Sequence, residues 1–383
     1  MKRITILGST GSIGCNTLRV IRCFPDKFKV FGLSTNSNIR VLLKQIKDFS
    51  PEIVAVKDPL EAERLKRMVN GRVTLLSGEK GLERLAEEKV DLLVMAISGS
   101  AAFLPLMKAI DVQSAIALAN KEALVMAGSL IIQKAKRKNV QIIPIDSEQS
   151  AIWQCLEGKD KTTLKKIYLT ASGGPLREMD KKDLKYISLD KVLRHPCWKM
   201  GKKTTVDSAT LMNKGLELFE TMYLFDVDIS KIDVLIHPQA IIHSMVEFID
   251  GSILAQLSIT DMRVPIQYAL SYPKRFRSFL KPLNFLEIES LTFSKPDLDK
   301  FPCLRLAYEA AKVAGTLPVV LNASNEVAVE AFLKKRINFF QIPKVIEKIM
   351  SLHKNITKPN LEEILHTHKW AKEKTEELIG RIN

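Results

Sequence analysis

The chain has 383 residues, 46% hydrophobic and 26% charged, with a formal net charge of +15. That composition excludes disordered and fibrous classes and leaves room for two or three globular domains. The longest run without a charge, Leu92 to Met107, contains Gly99 and Pro105 and is shorter than the roughly 20 apolar residues of a membrane helix, so no membrane partner is expected.

Met1-Lys2-Arg3 leads straight into an apolar run without a signal or transit pattern, and the expected location is cytoplasmic. The five cysteines (Cys15, Cys23, Cys155, Cys197, Cys303) contain no C-x-x-C pair, which argues against zinc sites and disulfide frameworks. The positive balance favours anionic partners. Its basic residues are dispersed, the densest cluster being Lys134 to Lys138, with no aromatic-interleaved stripe. A phosphorylated substrate and cofactor therefore fit better than nucleic acid.

Up to about residue 146, short apolar runs alternate with helical patterns. Strands are expected at Ile4–Leu7, Val30–Leu33, Ile53–Val56, Val73–Leu76, Leu92–Ala96, Ala115–Leu118 and Gln141–Ile145, with helices such as Ile39–Phe49, Pro59–Val69 and Lys121–Lys138 between them. This alternation predicts an α/β, Rossmann-like, doubly wound parallel sheet over residues 1–146. Residues 147–272 read as an α+β domain, with strands at Ile167–Thr170, Val234–Ile236, His243–Phe248 and Ile253–Ser258. A proline-rich connecting segment over 273–301 precedes a C-terminal helical bundle over 302–383 (Leu304–Val313, Pro318–Lys335, Ile342–Leu352, Leu361–Ile379). His353, His366 and His368 in that bundle are expected at the surface.

The first strand runs into Gly8-Ser9-Thr10-Gly11-Ser12-Ile13-Gly14 and then an amphipathic helix. Glycines at such a turn let the backbone approach a pyrophosphate lying on the helix N-terminus. The G-x-x-G-x-x-G spacing differs from the usual fingerprint, and a ligand-free turn is the competing reading. After the second strand, Ser34-Thr35-Asn36-Ser37-Asn38-Ile39-Arg40 lacks the acid that holds an NAD ribose. A 2′-phosphate is tolerated there, so NADPH is the expected cofactor.

Pro144-Ile145-Asp146-Ser147-Glu148 brings two carboxylates to a strand end. Strand alternation would aim Asp146 and Glu148 the same way, with Ser147 opposite. Paired hard oxygen donors suit Mg²⁺ or Mn²⁺, although a solvated strand end accounts for the pair equally well. The run Asp207 to Glu217 reads as one helix with Asn213, Lys214 and Glu217 crowded on one face. Glu217 would complete a three-carboxylate site, and Ser208, Asn213 and Lys214 would offer donors to a phosphate. The competing reading makes Lys214 and Glu217 a surface ion pair, but Gly215 inside the helix signals a close approach. Ala171-Ser172-Gly173-Gly174 is a second anion cradle or a plain turn. The loop Ser188 to Lys203, with His195, Trp198, Met200 and Gly201, is a lid over substrate or a loop packed on the core.

These stretches closely resemble the 1-deoxy-D-xylulose 5-phosphate reductoisomerase family. The matching blocks are GSTGSIG (8–14), LANKEALV (118–125), PIDSEQSAIWQ (144–154), TASGGPLRE (170–178), RHPCWKMGKK (194–203), VDSATLMNKGLELFE (206–220), HPQAIIHSMVEF (237–248) and SILAQLSITDMRVPIQYAL (252–270). The resemblance implies that Thr10, Gly11, Ser12 and Ile13 cradle NADPH phosphates, with Asn38, Asn120, Glu122 and Gly201 near the cofactor. It implies one divalent cation (Mg²⁺, Mn²⁺ or Co²⁺) on Asp146, Glu148 and Glu217. It implies substrate binding by Lys121, Ser147, Glu148, Ser172, His195, Ser208, Asn213, Lys214 and Glu217, with Lys121 and His195 also catalytic and Trp198 and Met200 in a closing lid. The run Thr35-Asn36-Ser37-Asn38 departs from the family pattern, which leaves the partner of the 2′-phosphate, around Ser37 and Arg40, open. The implied reaction converts 1-deoxy-D-xylulose 5-phosphate to 2-C-methyl-D-erythritol 4-phosphate in a homodimeric enzyme of isoprenoid precursor synthesis. An NADP-dependent sugar-phosphate dehydrogenase needing no metal is the rival within the class, and a basic nucleic-acid-binding protein the rival outside it.

Overall fold

The computed structural model describes residues 1–69, 71 and 73–382. The chain forms two compact units. The first comprises Met1–Ala123, Ser129–Ser150 and Asp261–Pro282; the second comprises Leu124–Gly128, Ala151–Thr260 and the chain from Leu283 onward.

The first unit carries seven strands: β1 (Lys2–Leu7), β2 (Phe28–Thr35), β3 (Ile53–Val56), β4 (Thr74–Ser77), β5 (Leu92–Met95), β6 (Ala115–Leu118) and β7 (Gln141–Pro144). They form one parallel sheet in the order β4-β3-β2-β1-β5-β6-β7. The order reverses at β1, and in such sheets ligands bind outside the carboxyl ends of the strands at that switch point. Buried on both faces, the strands read as nearly unbroken apolar runs: Ile4, Ile6, Leu33, Val54, Leu92 and Val94 are fully buried. Each such side chain contributes about 1.5–3 kcal/mol relative to exposure. The Arg263–Ser271 helix belongs to this unit, and its Leu270 carbonyl accepts from Lys2 Nζ at 3.0 Å.

The second unit holds β8 (Leu164–Ala171), β9 (Ile232–Ile236), β10 (Ile242–Phe248) and β11 (Ile253–Leu257), ordered β11-β10-β8-β9. β8 and β9 are parallel and the other pairs antiparallel. The helices Pro302–Val313, Leu317–Leu333, Gln341–Leu352 and Leu361–Gly380 follow the expected periodicity within two residues at either end. The α/β class with a helical C-terminal region is therefore as expected from the sequence.

Three local expectations are corrected. β7 stops at Pro144, and a helix, Ser147–Leu156, begins at once. The Asp146 carbonyl accepts from Ser150 N at 2.8 Å, and its Oδ1 accepts from Ser147 N at 3.1 Å. Asp146-Ser147-Glu148 is thus a helix start with an acid in its first turn, which the helix dipole favours over strand continuation. Strand alternation does not orient these carboxylates.

The run 207–217 is two helices, Lys202–Ala209 and Met212–Phe225, separated by Leu211 at φ 59°. Thr210 causes the break: its hydroxyl lies 3.2 Å from Val206 O and 3.1 Å from Asp207 O and accepts from Met212 N at 3.3 Å. Lastly, His353 and His368 are half-buried; Thr316 Oγ1 lies 2.7 Å from His353 Nε2.

Candidate active site

In the first unit the glycine-rich turn is held on its inner side. Gly8, at φ 88°, donates its N–H to Ser34 Oγ at 2.9 Å, and Ser9 N donates to Ser34 O at 2.8 Å. Thr10 Oγ1 and Thr35 Oγ1 lie 2.7 Å apart. A Cβ on Gly14 would sit 2.4 Å from Gly8 O, so the turn closes tightly on the helix it starts. The Ser12–Cys23 helix begins at Gly11 without a side-chain cap, which leaves first-turn N–H groups for an anion.

Asn38 caps the Ile39–Phe49 helix, accepting from Val41 N at 3.2 Å, and Arg40 is exposed. Asn120, 1% exposed, donates to Ile97 O and Gly99 O, both at 2.9 Å, and to Glu122 Oε2 at 3.0 Å, while its Oδ1 accepts from Ala123 N at 2.8 Å. It fixes the β5 and β6 ends relative to each other. Lys121 Nζ lies 2.5 Å from Asp146 Oδ2, and the Ser147 hydroxyl donates to Glu148 Oε2 at 2.6 Å. Four residues singled out by sequence, Lys121, Asp146, Ser147 and Glu148, therefore meet at the carboxyl ends of β6 and β7. Clustered carboxylate oxygens of this kind suit a hard divalent cation.

In the second unit His195 joins two serines. Its Nε2 is 3.1 Å from Ser172 Oγ and 3.1 Å from Ser208 Oγ. Nδ1 accepts from Cys197 N at 3.1 Å and Trp198 N at 2.9 Å, so the neutral tautomer carries its proton on Nε2, facing the serines. Burial pushes this imidazole down to about 4. Neutral His195 then stabilises the fold fully above its ordinary range near 6.5, and that contribution is lost as pH falls toward 4. Replacing it by Asn keeps an acceptor near the Nδ1 position. In the variant, thermal stability should decline less between pH 6.5 and 4 than in the wild type, by about 1–2 kcal/mol after allowing for partial exposure. Parallel melting curves would contradict this.

Gly173 (φ 85°) and Gly174 (φ 73°) form the turn beside Ser172, and a Cβ on Gly174 would meet Ser208 O at 2.6 Å. Backbone contact at that range explains Gly174, whereas a Cβ on Gly173 would meet the Arg177 side chain, with Cδ 2.7 Å away. Arg177, which sequence reasoning did not single out, donates from Nη1 to Ser172 O at 2.8 Å and closes the turn from behind.

On the Met212–Phe225 helix, Asn213 Nδ2 donates to Glu217 Oε1 and Lys214 Nζ pairs with Glu217 Oε2. Lys214 and Glu217 are 3% and 0% exposed, which rules out a surface ion pair. The close approach at Gly215 is made by Ala307, whose Cβ would lie 2.6 Å away, so this glycine serves helix packing. Sequence reasoning also missed Asp207, 1% exposed, which accepts from Asn325 Nδ2 at 2.9 Å and pairs with Lys203 Nζ at 2.7 Å. It anchors the helix that presents Ser208. Trp198 lies near His243, ring centroids 6.1 Å apart. The loop from Leu193 to Gly201 contains no helix or strand.

The chain is similar to known proteins along nearly its whole length. The 1-deoxy-D-xylulose 5-phosphate reductoisomerase family model matches residues 4–128, and the models of its C-terminal domains match 142–225 and 257–374. The 1-deoxy-D-xylulose 5-phosphate reductoisomerase of Thermoanaerobacter pseudethanolicus is 50% identical over 98% of each chain, and that of Chlorobaculum tepidum is 47% identical over 99% of this chain and all of its own. A crystal structure of DOX-P reductoisomerase in complex with NADPH, fosmidomycin and magnesium superposes with a TM-score of 0.94 at 39% identity, covering 100% of this chain and 99% of that one. The Zymomonas mobilis enzyme in complex with NADPH gives 0.91 at 37% identity over 99% of both chains. The chain thus belongs to the 1-deoxy-D-xylulose 5-phosphate reductoisomerase family.

Proposed function

We propose that this protein converts 1-deoxy-D-xylulose 5-phosphate to 2-C-methyl-D-erythritol 4-phosphate with NADPH and a divalent cation. The carrying observation is the meeting of Ser172, His195 and Ser208 around one imidazole N–H in a chain that also has the acid-free nucleotide turn. Thr10, Gly11, Ser12 and Ile13 hold the cofactor phosphates, with Asn38, Asn120, Glu122 and Gly201 beside it. Asp146, Glu148 and Glu217 hold the cation, magnesium or manganese. The enzyme works as a homodimer in the cytoplasm; among the described residues, no helix is long and apolar enough to cross a membrane.

When bound, the cation polarises the substrate's carbonyl and neighbouring hydroxyl oxygens and NADPH supplies the hydride. The chain's own groups orient and enclose the substrate. Ser172, Ser208, Asn213 and Lys214 take the phosphate, and His195 directs its Nε2 proton to that end. This remote binding energy aligns the reacting carbons and holds the Trp198 and Met200 loop shut. Lys121 balances the Asp146 charge and donates to a substrate oxygen.

Removing one phosphate donor should weaken substrate binding selectively. Ser208→Ala is expected to raise KM for the sugar phosphate by about tenfold, the worth of one charge-assisted hydrogen bond, with KM for NADPH unchanged. The decisive assay follows NADPH absorbance with 1-deoxy-D-xylulose 5-phosphate, with and without magnesium, and identifies the product. Turnover that persists in EDTA would favour the metal-free dehydrogenase; no NADPH consumption with metal present would sink the reading.

A further inference from the structure

The Ile39–Phe49 helix of the first unit buries two side chains, Leu42 and Gln45. Leu42 packs into the apolar core, as that position requires. Gln45, three residues on and 7% exposed, is polar where an apolar residue would fill the same face. Its amide grips a single residue of the glycine-rich turn. Nε2 donates to Ser9 O at 2.9 Å, and Oε1 accepts from Ser9 Oγ at 2.7 Å. A carbonyl can only accept, so the amide orientation is fixed by chemistry. Ser9 N donates to Ser34 O at 2.8 Å, which ties the same residue to β2.

The grip matters because of which way the peptides face. A carbonyl turned toward a pyrophosphate would repel it, whereas the N–H groups after it attract it. Gln45 draws the Ser9 carbonyl into the interior, and the fully buried Ser9 hydroxyl is held with it. We propose that Gln45 is a positioning residue for the dinucleotide: its amide clasps Ser9 and so keeps the 8–14 turn in the conformation that receives the cofactor phosphates. This rests on the assignment of that turn to NADPH.

The test compares Gln45→Leu, Gln45→Glu and Ser12→Asp in the full-length enzyme by steady-state kinetics and direct NADPH titration. Gln45→Leu leaves the Ser9 carbonyl with only the weak Cys15 thiol donor, 3.6 Å away, and should raise KM and Kd for NADPH about tenfold. KM for the sugar phosphate should stay within about twofold of wild type, a split that general destabilisation would not produce. Gln45→Glu covers the case in which the leucine variant does not fold. It keeps the acceptor for the Ser9 hydroxyl but donates to the carbonyl only when protonated, so its Kd for NADPH should return toward wild type as pH is lowered. Wild-type NADPH affinity in Gln45→Leu, equal rises in both KM values, or a pH-independent wild-type Kd in Gln45→Glu would each overturn the proposal. Ser12→Asp puts a carboxylate at the start of the helix; if it leaves NADPH binding intact, the cofactor assignment itself fails, which separates the two.

Discussion

Glu217→Gln should lower kcat by about 100- to 1,000-fold while the protein remains folded. A cation acting on developing oxyanion charge supplies several kcal/mol of barrier reduction, and each 1.36 kcal/mol is tenfold in rate. Glutamine preserves the shape and one oxygen but removes the charge by which the side chain would, in the proposed site, ligate a hard cation. The substitution also weakens the buried pair with Lys214, so a fall in melting temperature accompanies the loss of turnover. Asn213 remains beside position 217, and one amide oxygen remains to accept from the ammonium. Higher magnesium should restore part of the activity, because in the proposed site Asp146 and Glu148 would still bind the cation weakly. Near-normal turnover at low magnesium would remove Glu217 from the metal site.

Gly8→Ala should destabilise the first unit by about 2–5 kcal/mol and abolish tight NADPH binding. The estimate adds about 1–2 kcal/mol for a left-handed backbone carrying a Cβ to about 1–3 kcal/mol for overpacking. Gly8 sits at φ 88°, and a Cβ there would lie 2.6 Å from Ala96 O and 2.7 Å from its carbonyl carbon. Both neighbours are backbone at the end of β5 and cannot rotate away. Relief would require β1 to move from β5, which would displace the turn proposed to receive the cofactor. Chemical denaturation together with NADPH titration reads both effects. A variant with wild-type stability and affinity would contradict the close approach.

The architecture of the first unit was legible because both faces of its sheet are buried. Parallel strands covered by helices need unbroken apolar runs, and Ile53–Val56 and Ala115–Leu118 begin and end where those runs do. The C-terminal helices were equally plain: Leu361–Gly380 opens on a capping box, Asn360 with Glu363, and its apolar residues recur at helical spacing. Where side chains compete with the backbone for hydrogen bonds, reading failed. Asp146 ends a strand by starting a helix, and the Thr210 hydroxyl splits one expected helix into two. Half-burial of His353 and His368 depends on contacts such as that with Thr316, 37 residues away from His353 in sequence.

By itself the sequence determined the fold class, the glycine turn, the missing acid after β2 and the types of side chain available for anion and cation binding. These follow from local periodicity and from the chemistry each residue carries wherever it lies. Tertiary structure decided which of those groups share a proton or a charge: Ser172 and Ser208 on one imidazole, Lys121 against Asp146, Asn325 on Asp207, Gln45 around Ser9. Asn325 and Asp207, 118 residues apart in sequence, meet only when packed elements bring them within hydrogen-bond reach, and no local pattern encodes that distance.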